Sequence, residues 1–150
     1  MKTKNFVVFF VMVIFINGGC LTYKGLKPVS PKPKTNHPFL NPTPVDSLKP
    51  TFTWKKSKES GVAYDFAIWD TVSSSLNNRT IYTKLKEIYH REGLTQPTHS
   101  MEKPLKPDHV YMWTVRTRKG DIAGKWSVYD WAYTDWDAND QFFMFKTPSK

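Results

Sequence analysis

The residues able to do chemistry are few and poorly grouped. Asp135-Trp136-Asp137-Ala138-Asn139-Asp140 opens as a calcium loop does, with side-chain oxygens at alternate positions. Such a loop needs Gly at its sixth position for the turn and Glu at its twelfth as a bidentate ligand. Those places hold Asp140 and Lys146, so the run reads as a solvated acidic turn. His37, His90, His99 and His109 lack metal-ligand spacing, and the chain has a single cysteine, Cys20. His90 and His99 can meet across a hairpin, but surface histidines are the simpler reading. There is no G-x-S-x-G and no phosphate loop, and nothing singles out a working pair among the 13 acidic residues. The expectation is a protein without catalytic residues, metal or cofactor.

Aromatic residues are the feature above background. Trp126, Tyr129, Trp131, Tyr133 and Trp136 crowd into one stretch. Tyr129, Trp131 and Tyr133 lie two apart, so on an extended segment they share a face. Such rings stack on sugars and dominate protein interfaces; equally, they can close the open end of a sandwich. A second candidate surface joins two strands. Asp65 and Trp69 point outward from one, Arg116 and Arg118 from the other, and if these strands pair, an Arg over Trp69 would give a cation–π contact. Cross-strand ladders of this kind are more often structural than functional.

The elements that position these residues read as strands. Thr51-Phe52-Thr53-Trp54 alternates, and so do Tyr64-Asp65-Phe66-Ala67-Ile68 and Tyr111-Met112-Trp113-Thr114-Val115-Arg116. Gln141 to Thr147 is again strand-like. No stretch keeps a helical period, and short strands with turn signals between them predict an all-β sandwich. Leu105-Lys106-Pro107-Asp108-His109-Val110-Tyr111-Met112-Trp113-Thr114-Val115 reads L-x-P-x-x-x-Y-x-W-x-V. With Trp54 on an early strand, this resembles a fibronectin type III domain over about residues 45–148. The resemblance implies one immunoglobulin-like antiparallel sandwich, with Tyr111 and Leu105 as its tyrosine corner and Trp54 in its core. It implies recognition or spacing, not chemistry. Two departures stand out: a long polar stretch between Asp70 and Lys84, and an insertion between Trp126 and Phe142.

Upstream the text changes. Lys2 and Lys4 precede an apolar run of 11 residues, Phe6 to Ile16, which suits a signal h-region and is too short to span a bilayer. Asn17-Gly18-Gly19-Cys20 follows and resembles the lipobox of bacterial lipoproteins, except that Asn17 stands where an aliphatic residue is usual. The resemblance implies cleavage before Cys20, acylation of its thiol and anchoring in a membrane. Leu21 after the cysteine implies the outer membrane of the cell envelope. The expected organisation is a signal peptide over 1–19, a lipid-anchored Pro/Lys-rich linker over 20–45 and the sandwich over 46–150. Prolines at 28, 31, 33, 38, 42 and 44 favour polyproline II in that linker.

Net charge is +9, but six of the 22 basic residues precede Asp46. The remaining 16 face all 13 acidic ones, an excess of three, so no nucleic-acid partner is expected. The function expected is an accessory module that binds an envelope protein, with glycan binding through residues 126–136 as the alternative. The binding residues expected are Trp69, Arg116, Arg118, Tyr129, Trp131, Tyr133 and Trp136.

Overall fold

The computed structural model describes residues 22–33, 41–130 and 142–150. Among them are eleven strands and no helix: β1 Thr22–Lys24, β2 Pro28–Ser30, β3 Thr43–Pro44, β4 Thr51–Trp54, β5 Ala63–Leu76, β6 Arg79–Leu94, β7 Thr98–Ser100, β8 Val110–Lys119, β9 Ile122–Ala123, β10 Val128–Asp130 and β11 Phe143–Lys146. One sheet has the order β2-β4-β7; the larger has the order β3-β11-β8-β5-β6, with β9 also on β8; β1 and β10 form a pair of their own. The all-β expectation holds.

Alternation decides what is inside. Phe52 and Trp54 on β4 are buried against Tyr64, Phe66 and Ile68 on β5, Tyr111, Trp113 and Val115 on β8, and Phe143 and Phe145 on β11. Phe52 sits at the centre, with ring centroids of Phe66, Trp113 and Phe145 at 4.8, 5.0 and 5.1 Å. Each such ring buries a large apolar area and gains further from tilted or edge-on contact. Tyr111 is buried, and its hydroxyl accepts the Lys106 N–H at 3.1 Å, pinning the loop that precedes its own strand.

Within the stretch expected to be a Pro/Lys-rich linker over 20–45, the described residues pair with the rest of the chain and are not a solvated spacer. β1 pairs with β10, β2 with β4, and β3 runs parallel to β11. Leu26 N–H donates to Ser127 Oγ at 2.7 Å and Lys55 N–H to Lys27 C=O at 2.8 Å. Pro28, Pro31 and Pro33 are buried. Proline forbids helix and central strand but not an edge, and β2 and β3 are edge strands. Gly25 makes the approach possible: its φ is +94°, and a Cβ there would lie 2.5 Å from Ser127 Oγ.

Of the two stretches singled out in the sequence, the structure describes 70–84 throughout and 126–142 in part. Residues 122–127 and β11 lie along the same edge of β8. Arg118 faces Ala123, Gly124 N–H donates to Thr117 C=O, Ser127 N–H donates to Val115 C=O, and Phe143 then faces Trp113. The chain between Ser127 and Phe143 therefore interrupts one strand position, and β10 leaves it to meet β1. The polar stretch after Asp70 is not a loop: β5 and β6 continue as a two-stranded ribbon closed by Asn77 and Asn78, at φ 49° and 59°. Two consecutive positive φ values make the turn that matches strand twist, and Asn tolerates them.

Candidate binding surfaces

Asp65 has no exposed surface, although it lies on the outward side of β5. Its register partner is Arg116 on β8. Arg116 Nε donates to Oδ2 at 2.9 Å, Arg118 Nε to both oxygens at 2.8 and 3.0 Å, and Gly93 N–H to Oδ1 at 3.3 Å. Burial pushes this carboxyl up, but the Arg118, Arg116 and Gly93 hydrogen bonds outweigh it and hold the acid below its ordinary range. Arg118 Nη2 reaches on to Glu92 at 2.8 Å. Oxygens of Asp65 and Glu92 and a nitrogen of His90 lie within 4.8 Å of one another, which is metal-ligand spacing. The donor set does not fit a cation, because the Asp65 lone pairs already accept four N–H contacts and two guanidinium groups stand beside them.

Arg116 does make a cation–π contact, but with Trp126, whose ring centroid lies 4.2 Å from the guanidinium carbon. Trp69, the expected partner, instead packs on Phe142 at 4.7 Å and edge-on to Trp126 at 5.9 Å. Lys84 Nζ lies 4.4 Å from the Phe142 centroid and 5.5 Å from that of Trp69. Beneath these groups, Val110, Met112, Val128, Phe142 and Met144 form a second buried apolar cluster. The outward side of the large sheet therefore carries a packed layer here, with Trp69, Arg116 and Arg118 as its tied-down surface.

Tyr129 is corrected from contact to core. It is 7% exposed, with its ring 5.6 Å from Tyr23 and 5.1 Å from Phe143, and its hydroxyl is buried without a hydrogen-bond partner. Burial, with Tyr23 beside it, pushes that phenol well above its ordinary range. Trp131, Tyr133 and Trp136 lie outside the described residues. So do His37, the acidic run at 135–140, and residues 1–21 with Cys20. His90 and His99 do not meet. His90 lies between Glu87 and Glu92, and His99 Nε2 shares a 2.8 Å hydrogen bond with the Tyr89 hydroxyl. His109 pairs with Asp70, which Lys106 also approaches at 3.6 Å, at the point where β5 leaves β8.

The freest surface is the ribbon that sequence reasoning took for a loop. Beyond Asp70, β5 pairs only with β6, and residues 72–80 are all exposed. Six large apolar side chains are exposed among the described residues; Val72 and Leu76 lie on this ribbon, and Leu85 and Ile88 at the β6 bulges at and below its base. Thr71–Lys86 contains Arg79, Lys84 and Lys86 and no acid. Its signal was legible in principle: Val72, Leu76, Ile81 and Leu85 stand among small polar residues on either side of Asn77-Asn78. A shallow groove of about 600 Å³ lies elsewhere, lined by Lys24, Gly25, Gly124, Lys125, Trp126 and Val128. No family model, curated protein or solved structure matches the chain.

Proposed function

We propose that this chain is a lipid-anchored cell-envelope protein whose fibronectin type III-like sandwich binds another protein through the β5–β6 ribbon, without catalysis. The fold assignment draws on a β2-β4-β7 sheet against β11-β8-β5-β6, the strand arrangement of that fold, and on the Tyr111 hydroxyl tie. The observation that carries the binding reading is that four of the six exposed aliphatic side chains among the described residues lie along the β5–β6 hairpin, whose distal part is cationic. Single exposed apolar side chains are ordinary, but several gathered on one element mark an interaction surface. The ionisable side chains that do converge, Asp65 with its two arginines and Asp70 with His109, saturate one another and suit structure better than chemistry.

The groove beside Trp126 is what favours glycan binding as a second reading. Its ring already stacks under Arg116, which leaves the protein-binding reading ahead. Lipid anchoring rests on the Cys20 sequence alone.

A photo-reactive residue at Leu85 tests the proposal in cells, with the same residue at exposed Ile122 as control. A discrete adduct with one other protein, formed from position 85 only and lost when exposed Ile88 becomes Ser, is the expected result. No adduct, or the same adducts from both positions, overturns it. The mass of the membrane-extracted chain should be that of residues 20–150 plus acyl chains. Cys20→Ala should leave it unprocessed, and an unlipidated mature mass removes the anchor.

A further inference from the structure

A sheet edge is a row of unpaired N–H and C=O groups, and proteins guard such edges with charge, proline, bulges or brevity. β3 is two residues long and ends in Pro44. β6 is guarded along its sandwich half by three register shifts, each placing an extra residue on β6, and by Lys86, Glu87, Arg91 and Glu92. Exposed Ile88 and Leu85 are two of those extra residues. The distal half of β5 is different. β8 covers it only as far as Asp70, and from Thr71 to Leu76 its register with β6 is unbroken. The exposed part of that edge, Val-Ser-Ser-Ser-Leu from Val72 to Leu76, carries no charge, no proline and no bulge.

The turn fixes which groups face outward. In a two-residue hairpin the residues flanking the turn exchange backbone bonds, here Leu76 with Arg79. Leu76, Ser74 and Val72 are then bonded to β6, and Ser73 and Ser75 aim their N–H and C=O groups at the free edge; Thr71 is buried, with its N–H donating to Asp70 Oδ1 at 2.9 Å. We propose that a second copy of this chain pairs there, antiparallel, about a two-fold axis at Ser74. In that register Ser73 of each copy exchanges both backbone bonds with Ser75 of the other. Ser74 faces Ser74, and Val72 faces Leu76 across non-hydrogen-bonded positions, where side chains approach most closely. The edge is thus complementary to itself, as an isologous contact must be.

Side-chain chemistry agrees. Val72 and Leu76, each 50% exposed, share one face of the ribbon with Ile81, so pairing joins two apolar stripes into one. Arg79, Lys84 and Lys86 lie on β6, one strand away from the seam, so like charges do not confront each other across it. Five residues a side make a contact below standard interface size, a weak dimer favoured wherever copies are concentrated. The inference stands on ribbon geometry and rests on neither the lipid anchor nor the protein partner proposed above.

Cysteine crosslinking reads the register directly. Single cysteines at 73, 74 and 75 are placed in the full chain carrying Cys20→Ala, and each is oxidised mildly. Facing Ser74 positions would stand about 4.5 Å apart at Cα, within disulfide reach, whereas each Ser73 or Ser75 stands about 7–8 Å from its own equivalent. S74C should give about tenfold more disulfide dimer than S73C or S75C. Ser73→Pro removes an N–H that points at the seam and none that β6 uses, so it should abolish the S74C dimer. Hydrogen exchange at Val72 and Ser74 should show that the ribbon persists in that variant. No dimer from S74C, equal dimer from all three positions, a dimer indifferent to Ser73→Pro, or adducts of S74C with other proteins instead would each overturn the proposal.

Discussion

A carboxylate without exposed surface must find donors for its lone pairs, and Asp65 finds four N–H contacts from Arg116, Arg118 and Gly93. Replacing it with Asn leaves two guanidinium groups without their counter-charge. Asp65→Asn should therefore cost about 3–5 kcal/mol in urea unfolding at neutral pH. The pH dependence has a definite sign. The folded acid titrates below its unfolded value of 3.8, so its contribution is complete above that pH and is lost as pH falls through the folded value. The gap between wild type and Asp65→Asn should accordingly hold down to about pH 4 and close below it. His99 works in the other direction of charge. Burial lowers its proton affinity from 6.5, so the unfolded chain takes up the proton first and stability falls as pH drops below 6.5. His99→Gln should flatten the difference in stability between pH 7.5 and 5.5, and a variant as pH-dependent as wild type would show that His99 is not its source.

Elements show where sequence patterning suffices. Alternation over 51–54, 64–68 and 111–116 placed the core rings correctly, because period two is a local property of extended backbone. Tyr111 could be read as a corner residue for the same reason, its loop lying within five positions. Tyr111→Phe keeps the ring and removes the bond to Lys106 N–H, and should cost about 1–1.5 kcal/mol by thermal or urea unfolding. What sequence left illegible is non-local. The Arg116 partner is Trp126 and not Trp69, because residues 122–127 return along β8 and bring Trp126 over the guanidinium, whereas Trp69 is drawn to Phe142. The ribbon was hidden by its serines, which look like loop composition until Asn77-Asn78 is seen as a turn with paired arms. Asn78→Gly should preserve amide protection across 71–84, whereas Asn78→Val, at φ 59°, should lower it while leaving global unfolding nearly unchanged.

At the scale of the whole molecule, the described parts of the N-terminal proline-rich stretch belong to the folded body. Tyr23 and Leu26 pack against the main core, Pro28 faces Trp54 across β2 and β4, and β1 holds β10 where it leaves the interrupted strand. A spacer would contribute nothing to unfolding, so truncation separates the two descriptions. Chains beginning at residue 21 and at residue 41 share every element from β3 onward. Losing the half-buried Tyr23 and Leu26 side chains, before any proline is counted, removes about 2–3 kcal/mol of burial. The shorter chain should melt about 10 °C lower, since one kcal/mol moves the midpoint of a domain this size by roughly 4 °C or more. Truncation also removes charge and length, so a point change supplies the sharper form of the argument. Gly25→Ala alters one methyl group, forces a side chain into positive φ and drives it against Ser127 Oγ. If residues 22–33 are docked, that single methyl lowers the melting temperature of the full domain; if they hang free, the two proteins unfold together.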